Sequence, residues 1–62
     1  MLEEKRHVER VYLEALVRVE SEARAAALSL GLERLAERIA MDITEARERL
    51  ARLEVEESSQ EE

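Results

Sequence analysis

The chain contains a single glycine and no proline. Because these two residues interrupt regular structure most strongly, their scarcity favours long, uninterrupted helices. The glycine, Gly31, stands at the midpoint of the 62 residues, where the apolar positions change face. Helices commonly end at a glycine in the left-handed conformation, so Gly31 is the predicted point of chain reversal.

The first half of the chain predicts an amphipathic helix over about residues 3–29. Its apolar residues recur at three- and four-residue spacings and therefore share one helical face. This main stripe consists of Val8, Tyr12, Ala15, Leu16, Val19, Ala23, Ala26 and Leu30. A sparser second stripe consists of Leu13, Val17 and Leu28. Because one neighbouring helix cannot cover two separate stripes, the pattern predicts self-association.

The second half predicts a helix over about residues 32–56 with a single apolar stripe, whose three-four alternation is similar to a coiled-coil seam. Its members are Leu32, Leu35, Ile39, Ile43, Ala46, Leu50 and Leu53. At 100° per residue it is displaced by roughly 200° from the main stripe of the first helix. A reversal at Gly31 is therefore expected to bring the two stripes together. A single long helix with Gly31 in its interior is the alternative, at a cost of about 1 kcal/mol.

The predicted fold class is all-α: an antiparallel two-helix hairpin that assembles as a homodimeric four-helix bundle. The predicted oligomer and core interface comprises Val8, Tyr12, Leu16, Val19, Leu30, Leu35, Ile39, Ile43, Leu50 and Leu53. The predicted second interface comprises Leu13, Val17 and Leu28. Two hairpins paired in this way would cover both stripes of the first helix.

Acidic residues are concentrated at the C-terminal end of the sequence. Residues 54–62 carry five acids and no base, whereas residues 1–53 carry eleven acids and ten bases. A short acidic segment without apolar periodicity is typical of a solvated tail. The sequence therefore predicts one helical domain over residues 1–55 and a disordered acidic tail over residues 56–62.

A local pattern inside the second half suggests a different architecture. Asp42 is followed by Glu45 in the spacing of a capping box, which opens a helix. With a break there, residues 35–53 resemble the helix-turn-helix of bacterial winged-helix regulators of the antibiotic-resistance repressor type. The matching residues are Leu35-Ala36 and Ile39-Ala40-Met41 in the first helix and turn, and Ala46, Leu50 and Leu53 in the recognition helix.

The resemblance implies a DNA-binding transcriptional regulator that dimerises through its long N-terminal helix. The implied DNA-binding residues are Thr44, Arg47, Arg49 and Arg52. This alternative requires a turn at residues 42–44 and a buried Met41. The apolar stripe runs through Ile43 without a gap, however, which favours an unbroken helix from about residue 32 to residue 54.

Catalytic and metal-binding patterns are sparse. His7 follows Glu4 by three residues, the Glu-x-x-His spacing of metal sites in helical bundles, so a metal-binding bundle is a second alternative. The motif occurs once and lies in the first turns, which favours a solvated histidine and no metal site. The serines have no histidine within plausible reach. We therefore expect no catalytic residues, no enzyme activity and no cofactor.

The favoured function is that of a small homo-oligomeric interaction or regulatory protein that binds another macromolecule without catalysis. In length and hairpin symmetry the chain is similar to plasmid copy-number regulators, which dimerise from two-helix hairpins and bind RNA loops. A protein is the expected partner, and nucleic acid is the alternative. No apolar run approaches the roughly 20 residues that span a bilayer, so no membrane contact is expected. The location expected from a cysteine-free chain without a signal peptide is cytoplasmic.

Overall fold

A computed structural model describes the backbone of residues 2–60 and the side chains of residues 3–58. It contains two helices of 28 residues each, α1 (Leu2–Ser29) and α2 (Glu33–Gln60). The helices pack against each other as an antiparallel hairpin with principal dimensions of 48 × 15 × 11 Å. The predicted all-α hairpin is therefore confirmed.

Gly31 reverses the chain between the helices. Its φ angle of 75° lies in the left-handed region, which glycine adopts without steric cost. The Leu32 amide donates to the Ala27 carbonyl at 2.8 Å, and the Gly31 amide donates to the Leu28 carbonyl at 3.1 Å. This pair of bonds is a Schellman motif, which satisfies carbonyls at the end of α1. The predicted left-handed helix end at Gly31 is confirmed.

The hairpin core consists of two apolar clusters. The cluster nearer the turn contains Ala27 of α1 and Ala36, Ile39 and Ile43 of α2, with half-buried Val17 packed against it. The cluster nearer the open end contains Leu13, Ala46 and Leu53, with Leu16, Val17 and Leu50 at its edge. Ala27 and Ala36, each 3% exposed, are small enough to let the helices approach closely where they leave the turn.

The structure differs from the prediction in the face of α1 that packs on α2. The large residues of the main stripe are exposed: Val8 by 66%, Tyr12 by 62%, Val19 by 58% and Leu30 by 75%. Leu13 and Val17, which were assigned to the second interface, face α2 instead, while the third member, Leu28, is half-exposed. The angular displacement between the two stripes applies to one continuous helix. After a chain reversal, the turn geometry and the packing between the helices set the rotation of each helix about its own axis.

Within α2, the predicted core residues Ile39, Ile43 and Leu53 are buried and Leu50 is half-buried, but Leu35 is exposed. Leu35 therefore does not belong to the core of the single hairpin. Whether it contacts a second chain stays a prediction.

Helix α2 is unbroken through residues 42–44. The Thr44 hydroxyl donates to the Ala40 carbonyl at 3.0 Å, one helical turn back, and Met41 is exposed. The turn that the helix-turn-helix alternative requires is therefore absent from α2, and the long helix favoured by the apolar stripe is present.

The C-terminal segment also differs from its prediction. Residues 56–60 continue α2 instead of forming a disordered tail. Glu56 and Glu57 have basic partners on α1 that sequence reasoning did not identify. Residues 61 and 62 of the predicted tail lie outside the described residues.

Candidate interaction surface

A second apolar face of α1 lies beside the face that packs on α2. At 100° per residue, seven uncharged residues fall within an arc of about 80° on this face. We call this set the α1 stripe: Val8, Tyr12, Ala15, Val19, Ala23, Ala26 and Leu30. No charged residue falls within the arc between residues 8 and 30, and the stripe is about 33 Å long at 1.5 Å per residue. Leu30 still follows the helical path, because its amide donates to the Ala26 carbonyl at 3.1 Å.

The surface around the α1 stripe has two shallow depressions. One lies near the open end of the hairpin and is lined by Glu4, Lys5, Val8, Glu9 and Tyr12. The other runs between the stripe and α2, where its lining includes Tyr12, Leu16, Asp42 and Arg49. Contiguous exposed apolar residues that are rimmed by charges are typical of surfaces that contact another macromolecule. The α1 stripe is therefore the candidate interaction surface.

Ion pairs between the helices lie near the open end of the hairpin. Arg49 donates through Nε to Glu9 at 3.0 Å, and the Nε of Arg6 lies 3.7 Å from a carboxylate oxygen of Glu56. Arg10 pairs with Glu57. The α1 members of these pairs, Arg6, Glu9 and Arg10, lie outside the arc of the α1 stripe.

The Arg10–Glu57 pair changes the pKa of both groups. The hydrogen bond from Arg10 lowers the pKa of the Glu57 carboxyl, with further lowering from the nearby charges of Arg10, Arg6 and His7. The same bond raises the pKa of Arg10. The sequence signal for this contact is the pair of adjacent acids, Glu56 and Glu57, opposite Arg6 and Arg10 in an antiparallel register. The contact cannot be predicted from the sequence alone, because it depends on which residues of α1 and α2 lie level with each other in the hairpin.

The residues implied for DNA binding do not form one patch. Thr44, Arg47, Arg49 and Arg52 are all exposed on α2. Arg47 and Arg49 are two positions apart, so they point about 200° away from each other around the helix. Arg49 is also paired with Glu9 of α1. Thr44 and Arg47 therefore lie on one side of α2, whereas Arg49 and Arg52 lie on another.

The sequence motif around His7 lies on an exposed part of α1, together with Glu3 and Glu4. Among the described residues, no group of three or more His, Asp or Glu side chains is placed to hold a metal ion. Across residues 2–60, neither helix carries an apolar stretch of the kind that crosses a bilayer.

Comparisons of the chain with known protein families, with curated proteins and with solved structures give no match. A functional assignment therefore depends on the surface itself.

Proposed function

We propose that the chain is a small, non-catalytic helical interaction protein that self-associates through the α1 stripe. The supporting observation is the exposure of Val8, Tyr12, Val19 and Leu30 along one uncharged face of a helix that already packs on α2 through another face. In water these side chains lose the free energy that burial would supply, about 25 cal/mol for each Å² of apolar surface. A partner that covers the stripe recovers it.

The surface area of the hairpin supports this proposal. The accessible surface is 5284 Å², whereas a compact monomer of 7.2 kDa exposes about 4,100 Å². The excess of roughly 1,200 Å² follows from the elongated two-helix shape. An interface of standard size removes about 600–1,000 Å² from each partner. Pairing through one long face would therefore bring the exposed surface close to that of an ordinary compact domain.

In the proposed assembly, two hairpins form a four-helix bundle. The outer side of α2 then stays exposed, and it carries alternating acids and arginines such as Glu37, Arg38, Glu48 and Arg52. We propose that this charged surface contacts a further protein, in keeping with a regulatory or assembly role.

Sedimentation equilibrium between about 1 µM and 1 mM tests the proposed self-association, since a dissociation constant in this range corresponds to roughly 4–8 kcal/mol. We expect the mass to rise from the monomer value of 7.2 kDa to twice that value as the concentration increases. A monomeric mass across the whole range would overturn the proposed function.

A further inference from the structure

We infer that two copies pair through the α1 stripe in antiparallel orientation, with the two-fold axis passing beside Val19. This inference rests on the proposed self-association and specifies its geometry. A symmetric dimer has a self-complementary interface, in which residue i meets residue j and residue j meets residue i. The α1 stripe is self-complementary in the spacing of its residues, in the sizes of its side chains and in the positions of its protruding and recessed parts.

The spacing of the α1 stripe is the same in both directions along the helix. Its successive members are separated by four, three, four, four, three and four residues, a series that is symmetric about Val19. When two such helices run antiparallel with Val19 at the centre, every stripe residue lies level with a stripe residue of the other copy. If the two-fold axis lay one or two residues away from Val19, stripe residues of one copy would lie level with residues of the other copy that do not belong to the stripe.

The side-chain sizes distinguish antiparallel from parallel pairing. The antiparallel arrangement places Tyr12 opposite Ala26 and Val8 opposite Leu30, while the small Ala15 lies opposite Ala23 on either side of the axis. The bulky Tyr12 thus meets the small Ala26, and the alanines on either side of the axis keep the centre narrow, as close packing requires. In a parallel pair each residue would meet itself. Tyr12 would then force the helices apart, while Ala23 and Ala26 would leave a gap.

The surface relief provides an independent observation. Leu30, at 75% exposed, is the most exposed of the large side chains of the α1 stripe and lies beside the turn. The antiparallel register carries the Leu30 of one copy to the level of Val8 in the other. A depression lies there, lined by Glu4, Lys5, Val8, Glu9 and Tyr12. A leucine inserted between residues of successive turns is the knob-into-hole contact by which paired helices interlock.

Single cysteine variants test the inference, because the chain has no cysteine of its own. Val19→Cys and Val8→Cys form a matched pair, since both replace an exposed valine of the α1 stripe. The two thiols introduced by Val19→Cys meet on the two-fold axis, whereas those introduced by Val8→Cys lie about 33 Å apart in one dimer. We expect Val19→Cys to form a disulfide-linked dimer at least about tenfold faster than Val8→Cys under mild oxidation, owing to its high effective concentration.

A mixture of Val8→Cys and Leu30→Cys provides the second measurement. Antiparallel pairing predicts that the mixture forms the mixed disulfide in preference to either homodimer, because residues 8 and 30 then lie opposite each other. Equal crosslinking of Val19→Cys and Val8→Cys would indicate parallel pairing and overturn the inference.

If Val19→Cys and Val8→Cys both crosslink slowly, sedimentation distinguishes two explanations. If the protein still sediments as a dimer, then the interface lies elsewhere, so the inference fails while the proposed function stands. If it sediments as a monomer at every concentration, then both fail.

Discussion

The two helices of the hairpin have the same length but use their apolar residues differently. Helix α2 buries Ala36, Ile39, Ile43, Ala46 and Leu53 along the face that meets α1. Helix α1 buries Leu13 and Ala27, while Val8, Val11, Tyr12, Val19 and Leu28 stay exposed. Helix α1 therefore carries a second apolar face that α2 does not cover, and this is the face of the proposed self-association.

The largest expected effect tests whether Leu13 marks the packed face of α1. Leu13→Ala should lower the free energy of unfolding by about 2–4 kcal/mol, because it removes buried methylene groups and leaves a cavity. Leu28→Ala is the matched control, since it makes the same substitution at a half-exposed residue of the same helix. Its expected loss is below about 1 kcal/mol.

Urea unfolding followed by circular dichroism measures both effects. Similar small losses for Leu13→Ala and Leu28→Ala would mean that α1 meets α2 through another face.

The next effect tests whether the exposed face of α1 is the associating one. Val19→Glu would place two carboxylates beside the proposed two-fold axis, so we expect dimerisation to weaken at least about 30-fold, or roughly 2 kcal/mol. The control, Val55→Glu, makes the same change at an exposed residue of α2 away from the α1 stripe. It should leave dimerisation nearly unchanged. Sedimentation equilibrium compares the dissociation constants of the two variants. Equal weakening of dimerisation by both would show that the exposed face of α1 is not the specific site of association.

A smaller effect concerns the turn that joins the helices. Gly31→Ala should cost about 1–2 kcal/mol, because an L side chain is strained in the left-handed conformation. An added Cβ would meet nothing within 4 Å, so the loss is expected from the backbone alone. Asparagine tolerates this conformation better, and Gly31→Asn should therefore lose less. Thermal unfolding ranks the three proteins, and an asparagine variant less stable than the alanine variant would contradict the backbone explanation.

The smallest effect concerns the ion pairs near the open end of the hairpin. The pKa of Glu57 lies below its ordinary value of 4.5 in the folded chain, chiefly because Arg10 hydrogen-bonds the carboxylate. Its stabilisation is therefore present above pH 4.5 and is lost as the pH falls through the lower folded pKa. The pair is solvent-accessible, so we expect a small effect that high salt weakens further.

Melting temperatures from pH 7 to pH 3 check this prediction. Glu57→Gln should reduce stability slightly at neutral pH and flatten the acid-induced decrease. Glu48→Gln, at an exposed position of the same helix, is the control. Identical profiles for the two variants would show that the Arg10–Glu57 pair contributes nothing measurable.

Much of the fold could be predicted from particular residues. The position of Gly31 in a chain without proline predicted the reversal, and the stripe through Ile43 predicted that α2 continues past Asp42. The helical end of α2 could not be predicted in the same way. Glu56 and Glu57 lack apolar periodicity, and their contacts with Arg6 and Arg10 depend on a register between residues far apart in sequence.

Local patterns in the sequence specify two long helices, a turn at Gly31 and a first helix with apolar residues on two faces. These properties depend on backbone preferences and on spacing within one helix, and both can be read locally. Packing between the helices, in contrast, places Leu13 and Val17 against α2 and leaves the large side chains of the α1 stripe exposed. That choice depends on the rotation of each helix about its axis after the turn. Packing between distant residues sets that rotation, and no local pattern specifies it.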